Sequence, residues 1–153
     1  MNVKSIIVLF TVVSSWLTAP LIKKSEWKRF YPALFFMSIF IAIESYIAYK
    51  RKWWEFPKGT ILHDLKDAPF VVGPFFIGTL WILKFTYGNL KKYILVNTLI
   101  DTGFVYGLML LMEKFNIMRL VKLKKYQFMS LFFLKAISIY GFQYLKDMKR
   151  LKA

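Results

Sequence analysis

The chain has 153 residues, of which 58% are hydrophobic, against roughly 45–50% in soluble domains, and its mean hydropathy is +0.45. Its formal charge of +15 would favour nucleic-acid binding in a soluble protein, but here the Lys and Arg residues flank apolar segments, where lipid headgroups lie. We therefore expect no nucleic-acid partner. The lack of cysteine excludes disulfides, thiolate catalysis and iron–sulfur ligation.

Five apolar segments are each close to the 20 or so residues that a helix needs to cross the hydrocarbon core of a bilayer. Backbone polar groups in hydrocarbon must be paired within their own segment, so these spans are predicted to be helices. The sequence therefore predicts an all-α fold, an integral membrane bundle of five transmembrane helices in one domain over 1–153. The predicted spans are 5–22, 30–49, 68–87, 93–112 and 126–145.

An odd number of spans places the two termini on opposite faces of the membrane. Orientation normally follows from an excess of Lys and Arg in the cytoplasmic loops. With mid-span Lys135 set aside, however, the other 22 of the 23 basic residues divide equally, eleven to each side. The orientation therefore stays open.

Glu44 lies near the end of the second span, about one and a half turns before Tyr49. From there its carboxylate is expected to reach the interface, or Lys50 and Arg51.

The densest basic and aromatic cluster follows the second span. Tryptophan beside lysine at the end of a span is typical of interfacial anchoring. Consecutive cations before two indole rings also suit the headgroup of an anionic lipid, and both interpretations stay open. The predicted headgroup contacts are Lys50, Arg51, Lys52, Trp53 and Trp54.

The only histidine, His63, precedes Asp64 and Asp67 in the same loop. On a helix, His63 and Asp67 would share a face at a spacing that suits two metal ligands. Two ligands do not make a site, and Lys66 between them opposes a cation. We predict no metal site. We keep as a hypothesis an interfacial lipid-modifying enzyme that uses His63, Asp64 and Asp67. Signatures such as GxSxG, Walker A and HExxH are absent, which favours a protein that is not an enzyme.

The third and fourth spans contain informative glycines. Gly73-Pro74 predicts a kink, because proline removes a helical hydrogen bond, and Gly88-Asn89 predicts the end of that helix. Gly103 and Gly107 form a GxxxG pair that lets a neighbouring backbone approach closely. The fourth span is therefore expected to be central in the bundle.

Two ionisable residues lie at mid-span, Asp101 in the fourth span and Lys135 in the fifth. Such residues usually face the bundle interior and find partners. Because these spans are consecutive and antiparallel, we predict an ion pair between the two, with Asn97 and Thr98 one turn before Asp101 as polar neighbours. The pair could fix helix register or line a proton or ion path.

Between these spans, segment 113–125 suggests one or two interfacial helical turns.

The chain resembles a group of small polytopic membrane proteins of low-GC Gram-positive bacteria to which no activity is assigned. Three stretches carry the resemblance, namely 50–54, VVGPFFIGTLWILKFTYG at 71–88 and 120–127. It implies a helical bundle in the bacterial plasma membrane and transfers no function.

Three hypotheses of function follow from these residues. The first is a non-enzymatic component that binds a partner protein, a second copy or an anionic lipid, without a cofactor. The second is a small ion- or proton-linked transporter around Asp101 and Lys135. The third is the lipid-modifying enzyme described above.

Overall fold

The structure is a computed structural model that describes residues 3–152, so Met1, Asn2 and Ala153 of the predicted domain lie outside the described residues. Five of its helices are long and apolar enough to cross a membrane, which confirms the predicted fold class. A short sixth helix, α3, lies in the loop after the second span. The helices are α1 Val3–Leu17, α2 Lys24–Arg51, α3 Ile61–Leu65, α4 Ala68–Thr86, α5 Leu90–Lys114 and α6 Lys125–Lys152.

Four long helices form a closed ring. α2 packs on α4, α4 on α5, α5 on α6, and α6 returns to α2. α1 lies outside this ring and packs mainly against α4. Only 11% of the residues in its apolar stretch are buried in the protein, against 33% for α2 and for α6. The ring encloses the buried ion pair described below.

The expectation that the fourth span is central is wrong. α5, which is that span, contacts α4 and α6, whereas α4 contacts α1, α2 and α5. The expectation assumed that the Gly103 and Gly107 face packs on a helix, but nothing lies within 4 Å of a Cβ built at either glycine. This glycine face therefore points away from the ring.

At Gly73-Pro74, where a kink is predicted, α4 contains a π-helical turn over Val71–Phe75. Proline has no N–H to donate to the carbonyl four residues earlier, so the regular hydrogen-bond pattern cannot continue there. At Gly73 the helix also lies close to α1, since a Cβ built on this residue would be 3.0 Å from Val12 Cα. Two residues after the end of α4, Gly88 has φ +99°, a left-handed conformation that glycine adopts easily and that stops the helix from continuing.

The bundle has two ends, which we call the near face and the far face. The near face carries loops 52–67 and 115–124 and the start of α1, where Lys4 Nζ donates to the Asn116 carbonyl at 3.3 Å. The far face carries the connection 18–23, which includes a 3-10 turn at Ala19–Leu21, the loop 87–89 and the end of α6.

Segment 113–125 does not form the predicted interfacial helical turns after α5 ends. Instead strand β2, Arg119–Leu120, pairs antiparallel with β1, Trp54–Glu55, in the register Trp54 to Leu120 and Glu55 to Arg119. Buried Ile117 and Met118 anchor the segment in the core. Its backbone polar groups pair with the other loop, for example the Lys122 N–H with the Lys52 carbonyl at 3.2 Å. The pairing ties the two near-face loops together.

Candidate functional site

Glu44 and Lys135 form an ion pair inside the ring. Lys135 Nζ lies 2.7 Å from Glu44 Oε2, and the two residues are only 8% and 6% exposed. The ammonium also lies 4.2 Å from the centroid of the Phe132 ring. A charge within hydrocarbon is costly unless it is paired, so this contact links α2 to α6.

The predicted ion pair between Asp101 and Lys135 is therefore wrong, and so is the expectation that Glu44 reaches the interface. Glu44 lies on the buried face of α2, between Ile41 and Ala48 at helical spacing, so its side chain points into the ring. There it meets Lys135, because α6 packs against α2 as well as against α5.

Asp101 lines a cavity of about 220 Å³, which we call the Asp101 cavity. Asn97 and Lys135 line it too, whereas Thr98 does not. The Asn97 amide donates to the Tyr93 carbonyl at 2.8 Å. Among the described residues, no ion pair or hydrogen bond reaches the Asp101 carboxylate.

A smaller cavity of about 30 Å³ adjoins the ion pair, and Glu44, Asp67 and Lys135 line it. Within the described chain, Glu44 Oε1 is buried and lacks a hydrogen-bond partner. The cavity is large enough for a water molecule, which such an oxygen requires. Asp67 accepts a hydrogen bond from Ser45 Oγ.

A third cavity, of about 1060 Å³, opens at the near face, and we call it the interfacial pocket. Five cationic side chains and two carboxylates line it, together with aromatic residues from α2 and β1. Its lining includes Lys50, Lys52, Lys58, Lys66, Arg119, Glu55, Asp67, Tyr46, Tyr49 and Trp54.

The structure brings three of the five predicted headgroup contacts together in this pocket, namely Lys50, Lys52 and Trp54. Arg51 and Trp53 are not part of its lining. The Trp53 carbonyl instead accepts from the Val121 N–H at 2.9 Å, which holds the two near-face loops together. Sequence reasoning missed Lys58 and Lys66, which lie farther along the same loop, and Arg119, which comes from β2.

His63, Asp64 and Asp67 do not form one constellation. α3 ends at Leu65 and Lys66 has φ +55°, so His63 and Asp67 do not share a helical face. His63 Nδ1 lies 3.0 Å from the exposed Asp64 carboxylate, while Asp67 turns to Ser45. No group of three or more metal-ligating side chains occurs within residues 3–152.

A second polar cluster closes the far face. Arg29 pairs with Asp147 at 3.1 Å, and the buried Gln143 amide donates to Asp147 Oδ1 at 3.0 Å and to the Arg29 carbonyl at 3.2 Å. Burial raises the pKa of the neighbouring Tyr87 hydroxyl to about 12, and Asp147 adds to the rise. Asp147, the one carboxylate within 146–153, was the sequence signal that could have indicated this cluster.

No protein-family model matches the chain, and neither a curated protein nor a solved structure is significantly similar to it. Its class therefore follows from the fold alone. It is a multi-pass membrane protein, with four helices around buried charges and one helix outside them.

Proposed function

We propose that this protein binds the headgroup of an anionic lipid in the interfacial pocket, without catalysing a reaction on it and without a cofactor. The observation that carries the proposal is the excess of cationic side chains in a cavity at the end of the membrane-spanning helices. Cationic side chains at the ends of membrane-spanning helices lie at the level of the phosphates of an anionic leaflet.

The excess persists after internal pairing is considered. Arg119 pairs with Glu55, and Asp67 is held by Ser45. In the described part of the chain, no carboxylate lies within ion-pair distance of the four lysines that line the pocket. Their charges are available to a phosphate.

Aromatic side chains orient two of these lysines. Lys50 Nζ lies 4.5 Å from the centroid of the Tyr46 ring, and Lys66 Nζ lies 5.4 Å from that of Tyr49. Trp54 at the pocket wall packs on Phe128 of α6, with ring centroids 5.5 Å apart. Rings with an apolar body and a polar edge suit the headgroup region.

We propose that the protein lies in a bacterial plasma membrane. The resemblance to membrane proteins of low-GC Gram-positive bacteria supports this location.

Gly103 and Gly107 stay a predicted contact surface for a partner protein or a second copy, since the face that they share with Tyr106 is exposed.

A proton or ion path is the second candidate. The small cavity shares Asp67 with the interfacial pocket and Lys135 with the Asp101 cavity, so polar groups run from the near face to mid-membrane. Toward the far face the interior is apolar and closely packed, with Leu34, Leu80 and Leu83 fully buried. If this candidate is right, the protein reconstituted in liposomes carries a proton or ion flux, and the flux disappears in the Asp101→Asn variant.

Lipid binding is tested with the triple variant Lys50→Ala, Lys52→Ala, Lys58→Ala. Each basic residue near an anionic surface contributes about 1 kcal/mol, so we expect the affinity for short-chain phosphatidylglycerol to fall by roughly a hundredfold. Titration of the full-length protein in neutral detergent measures this. Phosphatidylcholine serves as the zwitterionic comparison, and it should bind weakly to both forms.

The matched control changes three other exposed lysines by the same charge, Lys91→Ala, Lys149→Ala and Lys152→Ala. It should keep the affinity within a few-fold, because these residues do not line the pocket. Equal losses in the two triple variants would mean that net charge, rather than the pocket, attracts the lipid. Unchanged binding in the first variant would refute the proposal.

A further inference from the structure

Asp101 is the exception among the acidic residues of the spanning helices. Four of the five carboxylates in these helices are in ion pairs, Glu26 with Lys84, Glu44 with Lys135, Glu113 with Lys125 and Asp147 with Arg29. Asp101 has no such partner among residues 3–152. A carboxylate at mid-span is expensive unless a proton, a cation or a hydrogen-bond donor reaches it.

When Asp101 is ionised, the charges inside the ring do not balance without a further positive group. Glu44 and Lys135 neutralise each other at 2.7 Å, which leaves the Asp101 carboxylate as the uncompensated charge of the interior. One monovalent cation in the Asp101 cavity would complete the balance.

The walls of the Asp101 cavity favour an organic cation over a bare metal ion. Rings of Phe75, Phe104 and Phe132 line it, with centroids 5.4–5.9 Å from one another, and Phe70 adds a fourth. Aromatic faces attract ammonium groups, and cages of such rings recognise alkylated ammonium ligands. The Lys135 ammonium already lies over Phe132, so the chain itself uses this contact.

Of the other polar residues that line the cavity, Lys135 is paired with Glu44 at 2.7 Å, and the uncharged Thr79 and Asn97 present acceptors. Thr79 donates its hydroxyl proton to Met37 Sδ at 3.0 Å, and the Asn97 amide N–H donates to the Tyr93 carbonyl. The oxygens of both side chains therefore stay available beside Asp101. Acceptors around a carboxylate match a positively charged group and disfavour an anion.

Size and access also limit the ligand. A dry cavity of about 150 Å³ holds benzene, so about 220 Å³ suits one ring and a small ammonium group. Two lining residues of α5, Ile100 and Leu108, are 50% and 43% exposed on the outside of the bundle. Part of the cavity wall therefore belongs to residues at the outer surface of the bundle, and most of the lining is apolar, which favours a lipophilic ligand.

We propose that the Asp101 cavity binds a small lipophilic ammonium ion, with its charge against the Asp101 carboxylate and its apolar body among the phenylalanine rings. This site is separate from the interfacial pocket, since the two share no lining residue. A test of ammonium binding in the Asp101 cavity is therefore independent of a test of headgroup binding in the interfacial pocket.

The test is calorimetric titration of the full-length protein in neutral detergent with benzyltrimethylammonium. We expect saturable binding of one ion per chain, and an affinity at least about tenfold lower in Asp101→Asn. Asp64→Asn removes an exposed carboxylate outside the cavity and should leave the affinity unchanged. Phe104→Leu keeps an apolar wall but removes a ring, so it should weaken binding severalfold.

Neopentylbenzene, which replaces the charged nitrogen by carbon, is the matched neutral ligand. If it binds as tightly as the ammonium ion, or if Asp101→Asn has no effect, the cavity is only an apolar hole and the proposal is overturned. Absence of binding to the wild-type protein overturns it equally. Asp101→Asn removes an unpaired charge at constant shape, and its unchanged unfolding midpoint would show that lost binding is not lost folding.

Discussion

Replacing Lys135 by methionine is expected to lower the free energy of unfolding by about 3–5 kcal/mol, because it leaves the buried Glu44 carboxylate without its partner. Methionine has a similar length and fills the same space, so the loss reports the charge rather than a cavity. The unfolding midpoint in mixed detergent micelles, titrated with a denaturing detergent, measures the change.

Second changes identify which acid is the partner. Adding Glu44→Gln to Lys135→Met should restore most of the lost stability, since the stranded charge is then removed. Adding Asp101→Asn should restore much less, because Glu44 still lacks its cation. Recovery by Asp101→Asn that equals or exceeds recovery by Glu44→Gln would contradict the observed pairing.

Gly73→Ala should lower the free energy of unfolding by about 1–3 kcal/mol, because it overpacks the contact between α1 and α4. The added Cβ would lie 3.0 Å from Val12 Cα, and a backbone atom cannot move aside as the end of a flexible side chain can. We expect α1 to separate partly from α4, which faster proteolysis within α1 would detect alongside the lower unfolding midpoint.

Gly78→Ala is the matched control in the same helix. Nothing lies within 4 Å of a Cβ built on Gly78, so the change should stay within about 0.5 kcal/mol. If the two alanine variants unfold at the same midpoint, the close approach of α1 to Gly73 is not a stabilising contact.

The sequence was sufficient to predict the five spans because crossing a bilayer is a local requirement of length and polarity. Which charges meet inside the bundle depends instead on which helices are neighbours. Lys135 could face α2 or α5, and adjacency in the chain favoured Asp101 wrongly. The buried stripe of Ala33, Met37, Ile41, Glu44 and Ala48 in α2, spaced by three or four residues, was a signal that Glu44 points inward.

The interfacial pocket was only partly predictable for a similar reason. Lys50 and Lys52 stood out as neighbours in sequence, but Arg119 joins them because β2 pairs with β1. Strands of two residues are too short for alternation of polar and apolar residues to show. Residues of two π-helical turns line the Asp101 cavity, Val71–Phe75 in α4 and Phe104–Leu108 in α5, and only the first turn has a proline to indicate it.

The arrangement of five helices across a membrane, with the near and far faces on opposite sides, is tested most directly by cysteine labelling. The chain has no cysteine, so single Lys122→Cys and Lys91→Cys variants each give one thiol, at the near and the far face respectively. In sealed cells a membrane-impermeant maleimide should label one variant and not the other, and both after permeabilisation. Labelling of both variants in sealed cells, or release of the chain from membranes by alkaline carbonate, would contradict the membrane-spanning arrangement.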